Sequence, residues 1–304
     1  MKIVFLDALT LGNVDFKRFE KLAKVEIYQT TSYEQTLNRV KSADIVVTNK
    51  VVIDKKIMDE SKIKFIQIAA TGMNNVDLEY AKKKGITVKN VAGYSTRSVV
   101  QHTFALVLGL LNKICYFDDY SRNQYPHSEI FTHIEEWFEI SSKRWGIIGL
   151  GTIGKEVAKI AKAFGAEVVY YSTSGKNDDK EYKRVTLEEL LSTCEIISVH
   201  APLNENTKNL IAEKELNMLK EKTILVNLGR GGIVNEKDLA KVLQNKEIYV
   251  GLDVFEQEPI NEQNPLIKYK NKTLLTPHVA WTSIEAREKL MEGIYNNIKE
   301  FIEK

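Results

Sequence analysis

The chain has 304 residues, 43% of them apolar, which is enough to bury a substantial core and to form about two domains. Its 43 basic and 41 acidic residues leave a formal net charge of +2, excluding the one-signed fields that draw nucleic acid or anionic membrane. No window approaches the ~20 consecutive apolar residues of a membrane span, and two cysteines are too few for a disulfide scaffold.

The opening MKIVFLDA reads as a short strand with neither a basic leader nor a long apolar stretch. A signal peptide is therefore not expected, and a soluble, cytoplasmic protein is. Strand-like runs continue at 24–30, 44–49, 64–71 and 86–91, separated by helical stretches at 32–43 and 76–85. That alternation predicts a parallel sheet covered on both faces. The lysine run 82–84 reads as a solvated helix end. Residues 96–114 form a nearly continuous apolar helix that must lie buried between masses, bridging two domains. The segment 115–142 is rich in aromatics and charge, has little periodicity, and suits an arm that packs on a partner subunit. Cys115 and Cys194 lie in apolar contexts and are expected to be buried free thiols.

A second βα series follows, with strands expected at 144–151, 166–173, 194–201, 222–229, 248–255 and 272–278. Six strands joined by helices match a doubly wound dinucleotide fold. The tail 283–304 reads as one amphipathic helix returning to the first domain.

GLGTIG at 149–154 directly follows the strand RWGII and opens a helix, the context a phosphate-binding turn requires. Gly149 allows the tight turn, Gly151 lets backbone approach a pyrophosphate, and Gly154 permits close helix–strand packing. The acid expected about 20 residues on, to bind a ribose 2′-hydroxyl, is missing. The second strand ends instead in Ser172, Thr173 and Ser174, with Lys176 behind, a set that tolerates a 2′-phosphate. Hydroxyls also serve the unphosphorylated ribose, so both cofactors stay open, with a lean to dual or NADP-tolerant use.

Three side chains follow later strands: Arg230 in VNLGRGG, Glu258 in DVFEQEP and His278 in TPHVAW. Ligands of open α/β sheets bind outside the carboxyl ends of the strands, so these groups should converge there. A guanidinium can clamp a carboxylate and a carbonyl oxygen and stabilise developing negative charge. An imidazole can donate the proton, and a neighbouring carboxylate would hold it in the protonated form. Glu256 competes with Glu258 for that role, and spacing alone does not choose between them. His200 ends the third strand and lines the cofactor cleft; His102, His127 and His133 are weaker candidates. No HExxH spacing or nucleophile elbow is present, so neither a metal nor a serine nucleophile is expected.

GLGTIG, SVHAPLNENT, LVNLGRGGIVNEKDL, GLDVFEQEP and TPHVAW, in this order, resemble the blocks of the D-isomer-specific 2-hydroxyacid dehydrogenases over nearly the whole chain. The resemblance selects Glu258, because the family's acid directly precedes the proline. The opening MKIVFLDALTLGNVD, with TNKVV, AATGMNNVD and GYSTRSVVQHTFAL, looks closest to the hydroxypyruvate reductase (glycerate dehydrogenase) branch. It implies an α/β fold of two doubly wound parallel-sheet βα domains. One is a flavodoxin-like substrate domain (1–99 plus 283–304); the other is a Rossmann NAD(P)-binding domain (100–282) carrying a dimerisation arm at 115–142. It further implies Thr152, Ile153, Ala201, Pro202, Leu228, Gly229 and Asp253 at the cofactor. At the substrate it implies Asn49, Thr71, Gly72, Met73 and Trp281 beside Arg230.

Ser172 departs from the family's usual acid, and Met73 stands where this branch often has a smaller side chain. The expected reaction is reduction of hydroxypyruvate to D-glycerate with NADH or NADPH, with glyoxylate as a second substrate, by a homodimer. A D-lactate-type dehydrogenase and a nicotinamide-sensing, corepressor-like binding protein are the alternatives. A regulatory domain and an arginine cluster for a phosphate are not expected, which disfavours a phosphoglycerate enzyme, and Glu258 disfavours a formate dehydrogenase.

Overall fold

Strands such as IVVT, FIQI, IISV and ILVN are buried at every position rather than at alternate ones. That pattern belongs to parallel sheets covered on both faces. The computed structural model describes all 304 residues and divides into two compact units, Met1–Ser95 with Thr282–Lys304, and Thr96–Trp281.

The first unit holds β1 (Lys2–Phe5), β2 (Lys24–Ile27), β3 (Ile45–Thr48), β4 (Phe65–Ile68) and β5 (Thr87–Lys89). They pair in the order β2-β1-β3-β4-β5, all parallel. Val4, Leu6, Val46, Ile66 and Ile68 fill one face with Ile57 and Met58. The tail forms the single helix Ile284–Ile302, capped by the Ser283 hydroxyl. It packs on this unit, with the Phe301 ring 4.7 Å from that of Phe65. Gly293 makes the approach possible, since a Cβ there would lie 2.5 Å from Val91. Lys82, Lys83 and Lys84 are exposed at the end of the helix Leu78–Lys83.

The second unit holds β6 (Arg144–Ile148), β7 (Glu167–Tyr171), β8 (Lys183–Arg184), β9 (Ile196–Val199), β10 (Ile224–Asn227), β11 (Tyr249–Leu252) and β12 (Thr273–Leu275). All are parallel in the order β12-β11-β10-β9-β6-β7-β8. The chain runs outward from β6 to β8, then returns to β9 on the other side of β6. The switch point, where a ligand crevice forms, therefore lies between β6 and β9. Seven strands replace the six expected. The extra one, β8, is two exposed charged residues with no apolar pattern to betray it.

The apolar helix is Thr96–Leu111, with Val99, Val100, Thr103, Phe104, Leu106, Val107 and Leu111 buried. It stops short of 114 because Lys113 turns left-handed at φ 50°, and a second helix, Ile114–Asn123, follows with no buried residue. Cys115 sits on that helix and is exposed, correcting the expected burial. Cys194 is buried, and burial pushes its thiol up to about 12. No single helix is long and apolar enough to cross a membrane.

Candidate active site

The glycine turn lies at the switch point. Gly149 has φ +93°, and a Cβ there would meet the Ala201 amide nitrogen at 2.8 Å. Gly154 needs its bare face because a Cβ would stand 2.3 Å from the Gly149 carbonyl oxygen. Gly151 differs: its missing Cβ would face open space, with nothing within 4 Å. Crowding inside the chain does not explain that glycine; room for an incoming anion does.

The helix Thr152–Ala163 starts at Gly151 without a side-chain cap, whereas Asp54, Asp77, Thr186, Asn235 and Ser283 all cap their helices. Its first N–H groups therefore face outward with the positive end of the helix dipole behind them. Thr152 and Ile153 are the first residues of this turn. A pyrophosphate fits this cradle.

The neighbouring strand ends complete the crevice. The His200 amide donates to the Ile148 carbonyl at 2.8 Å. Its ring is half-buried, yet both nitrogens are cut off from solvent without a partner, and burial pushes the imidazole down to about 3. Ala201 is buried and Pro202 exposed; Leu228 and Gly229 are buried across from them. The Gly229 turn presses on Ala201, since a Cβ at 229 would lie 2.7 Å from the Ala201 carbonyl oxygen. At the end of β7, Ser172 is buried with its Oγ unpartnered, while Thr173, Ser174 and Lys176 emerge progressively into solvent. Asn177 ties this loop to the glycine turn through the Leu150 carbonyl at 3.3 Å.

The reaction side is built on β10, β11 and β12. His278 Nδ1 lies 2.7 Å from Glu258 Oε2. A carboxylate only accepts, so Nδ1 carries the proton and Nε2 is left for exchange with a ligand. Glu258 Oε1 accepts from the Phe255 amide at 3.2 Å, which fixes the carboxylate from its other side. Glu256 points elsewhere: its Oε1 accepts from the Glu236 amide at 3.1 Å, and its own amide donates to Glu236 Oε1 at 2.5 Å. This reciprocal clasp ties the 253–259 loop to the start of the helix Glu236–Asn245. Burial, with the charges of Glu256 and Glu258 nearby, raises the Glu236 carboxyl above its usual range.

Arg230 follows β10, half-buried, with Nη1 donating to the Gly229 carbonyl at 2.8 Å. Asn227, the last residue of β10, shapes that turn by accepting from the Gly229 amide and donating to the Arg230 carbonyl. The next residue, Gly231, abuts the Glu258 loop: a Cβ there would fall 1.8 Å from the Phe255 carbonyl oxygen. The turn bearing Arg230 and the loop bearing Glu258 are thus in direct backbone contact.

Asp253, expected at the cofactor, has a positioning role visible in the structure. Its carboxylate accepts from Thr276 Oγ at 2.7 Å and from the Val279 and Ala280 amides at 2.9 Å each. The Thr276 hydroxyl gives its one proton to Asp253, so His102 Nε2, 3.0 Å away, donates to it. These bonds hold His278 at φ 55°, a strained conformation that imidazole tolerates better than most side chains. Trp281 follows, half-buried. Asn227 and Thr276 were missed by sequence reasoning, and His102 was ranked only among the weaker candidates, although a polar residue closing the apolar strand ILVN is a usable signal for the first.

In the first unit the expected substrate residues lie at carboxyl ends of its own strands. Asn49 is buried, and its amide, with those of Lys50 and Val51, donates to Asp7. Its Nδ2 donates to the Ala69 carbonyl, leaving Oδ1 unpartnered. The Thr71 carbonyl accepts from Asn90, and Gly72 and Met73 are half-buried beside it.

Residues 104–280 match the family model for the D-isomer specific 2-hydroxyacid dehydrogenase NAD binding domain. A hydroxypyruvate reductase of Blautia hydrogenotrophica is 36% identical over 99% of this chain and 97% of its own. A glyoxylate reductase of Aeropyrum pernix is 34% identical over 98% of this chain and 90% of its own. An acyclic imino acid reductase solved with NADPH and D-arginine matches with a TM-score of 0.90 at 31% identity, covering 100% of this chain and 97% of that one. An NAD(P)-binding sheet, the glycine cradle at its switch point and relatives matching end to end agree: the chain belongs to the D-isomer specific 2-hydroxyacid dehydrogenase family.

Proposed function

We propose that this chain reduces a small 2-keto acid to the D-2-hydroxy acid, hydroxypyruvate to D-glycerate foremost and glyoxylate second, with NADH or NADPH. The contact between His278 Nδ1 and Glu258 Oε2, 2.7 Å long, carries the reading. A reduced nicotinamide, when bound, supplies the hydride to the carbonyl carbon. Arg230 clamps the keto acid through paired N–H donors and stabilises the charge growing on the carbonyl oxygen. His278 Nε2 gives that oxygen its proton, and the neutral ring remains tied to Glu258 through Nδ1–H. Thr152, Ile153 and the bare Gly151 would hold the pyrophosphate, with Ser172, Thr173, Ser174 and Lys176 towards the ribose. Asn49, Thr71, Gly72, Met73 and Trp281 remain the proposed substrate contacts.

The likeness to an imino acid reductase raises a second reading, reduction of C=N. A protonated imine needs no proton from the enzyme, so a carboxylate-held imidazole favours a carbonyl substrate. We also propose a homodimer built through the arm, where Ile130, Phe131, Ile134 and Trp137 are 57%, 90%, 81% and 53% exposed.

Initial rates with hydroxypyruvate, glyoxylate and pyruvate, each with NADH and NADPH, test the reading. Hydroxypyruvate should give the highest kcat/KM. Faster pyruvate turnover would make this a D-lactate-type enzyme, and no turnover on any of the three would overturn the proposal.

A further inference from the structure

The segment between β7 and the helix Leu187–Thr193 holds a cation that the sequence reading did not single out. Arg184 lies on the edge strand β8, paired in register with Tyr170 of β7. Its side chain reaches back across the preceding loop, where Nη1 donates to the Gly175 carbonyl at 3.0 Å. Gly175 turns left-handed at φ +69°, and a Cβ there would already touch Nη2 at 3.7 Å. A guanidinium carries five N–H donors, so this one bond positions the group and leaves most of its fork unused.

The charges around it are sorted. Asp179 is paired with Lys155 at 2.9 Å, and Glu181 with Lys162 at 3.0 Å. Arg184 has no carboxylate partner, and the exposed Lys176 lies on the same loop. The one carboxylate of the segment without a cation is the exposed Asp178. On the inner side, the Ser172 Oγ is buried and unpartnered, a polar group whose burial costs free energy unless something bonds it. The ordinary ribose-binding acid is absent from the end of β7, where Ser172, Thr173 and Ser174 stand, so no carboxylate there repels an added anion.

We propose that Arg184, with Lys176, forms the cationic face of a pocket for the 2′-phosphate of NADP(H), and that Arg184 is the residue that sets the preference for it. The inference rests on the dinucleotide-dependent reading above and concerns only which dinucleotide is taken. A bidentate contact from the free fork suits a phosphate dianion better than a ribose hydroxyl. Lysine at 184 would keep the charge and lose the fork.

The test is calorimetric titration of the full chain with 2′,5′-ADP and with 5′-ADP, ligands that differ only in the 2′-phosphate. Wild type should bind 2′,5′-ADP the more tightly. Arg184→Ala should weaken 2′,5′-ADP about tenfold or more, the scale of a charge-assisted hydrogen bond, and shift 5′-ADP less than about twofold. Arg184→Lys should fall between. Equal weakening of both ligands would overturn the inference, showing that Arg184 only shapes the loop. Equal affinity of wild type for the two would also overturn it. In either case, keto-acid reduction with NADH, measured separately, would leave the functional reading standing.

Discussion

The loop that carries His278 and the crevice at the β6–β9 switch point sit on one sheet edge and are built in opposite ways. The first is closed on itself. Asp253 accepts three bonds from residues 276–280, Glu258 is fixed through both oxygens, and Glu236 and Glu256 clasp the adjoining loop. The second is left open. Gly151 faces space, its helix is uncapped, and His200 and Ser172 have buried polar atoms without partners. Groups that must transfer a proton at a set distance are over-determined by the chain. Groups that must receive a ligand keep their bonding capacity in reserve, and that reserve costs stability until it is used.

Breaking the closed side should give the largest effects. Arg230→Ala should lower kcat by about 10²–10³-fold, the loss seen when one oxyanion donor is removed, and weaken substrate affinity with it, since the guanidinium touches ground and transition states alike. Steady-state kinetics decide this, and near wild-type kcat/KM would remove Arg230 from the site. Asp253→Asn reaches His278 from behind. An amide offers one acceptor where the loop needs two and sets N–H against N–H. Misplacing the imidazole by about 1 Å should cost on the order of 10²-fold in kcat/KM, and the unmet bonds about 1–3 kcal/mol of stability. Thermal unfolding and kinetics on one preparation separate the two losses.

Glu258→Gln is a smaller change that keeps the shape. Glutamine can still accept from Nδ1–H, but a neutral amide holds the ring less firmly than a carboxylate does. The rate of reduction should fall by about tenfold, the scale of a charge-assisted hydrogen bond, and steady-state kinetics measure it. An unchanged kcat/KM would show that the 2.7 Å contact does not govern proton donation.

How far the sequence could be read follows the same division. Buried parallel strands are apolar at every position, so their number and order were nearly complete from local pattern alone. Gly149, Gly151 and Gly154 carry a spacing that the turn itself demands. Arg230, Glu258 and His278 could be singled out because each lies in the loop after a strand, the end at which ligands of this architecture bind, and the structure brings two of them, His278 and Glu258, into contact. What was not legible depends on register between distant segments. Asp253 meets residues 23 to 27 positions away, and no local signal announces that. Arg184 comes to the Gly175 loop only because a two-residue strand pairs with Tyr170. Cys115 looked buried in an apolar stretch until the left-handed Lys113 turned its helix outward.

The open side makes a subtler claim, that an unpartnered group lowers stability in a pH-dependent way. Burial pushes His200 down to about 3 from an ordinary 6.5, so the folded state holds it neutral while the unfolded chain takes up a proton. Below about pH 6.5 the unfolded state binds more protons, and stability should fall with pH by up to about 1.4 kcal/mol per unit from this residue, levelling near pH 3. His200→Asn, which does not titrate, should flatten that part of the curve while leaving the acid unfolding of the carboxylates in place. Unfolding midpoints from pH 7.5 to 4 for the two proteins test it. Parallel curves would mean that the imidazole finds solvent or a partner on protonation. Diverging curves would mean that the crevice holds His200 neutral, with both ring nitrogens left unpartnered in the folded chain.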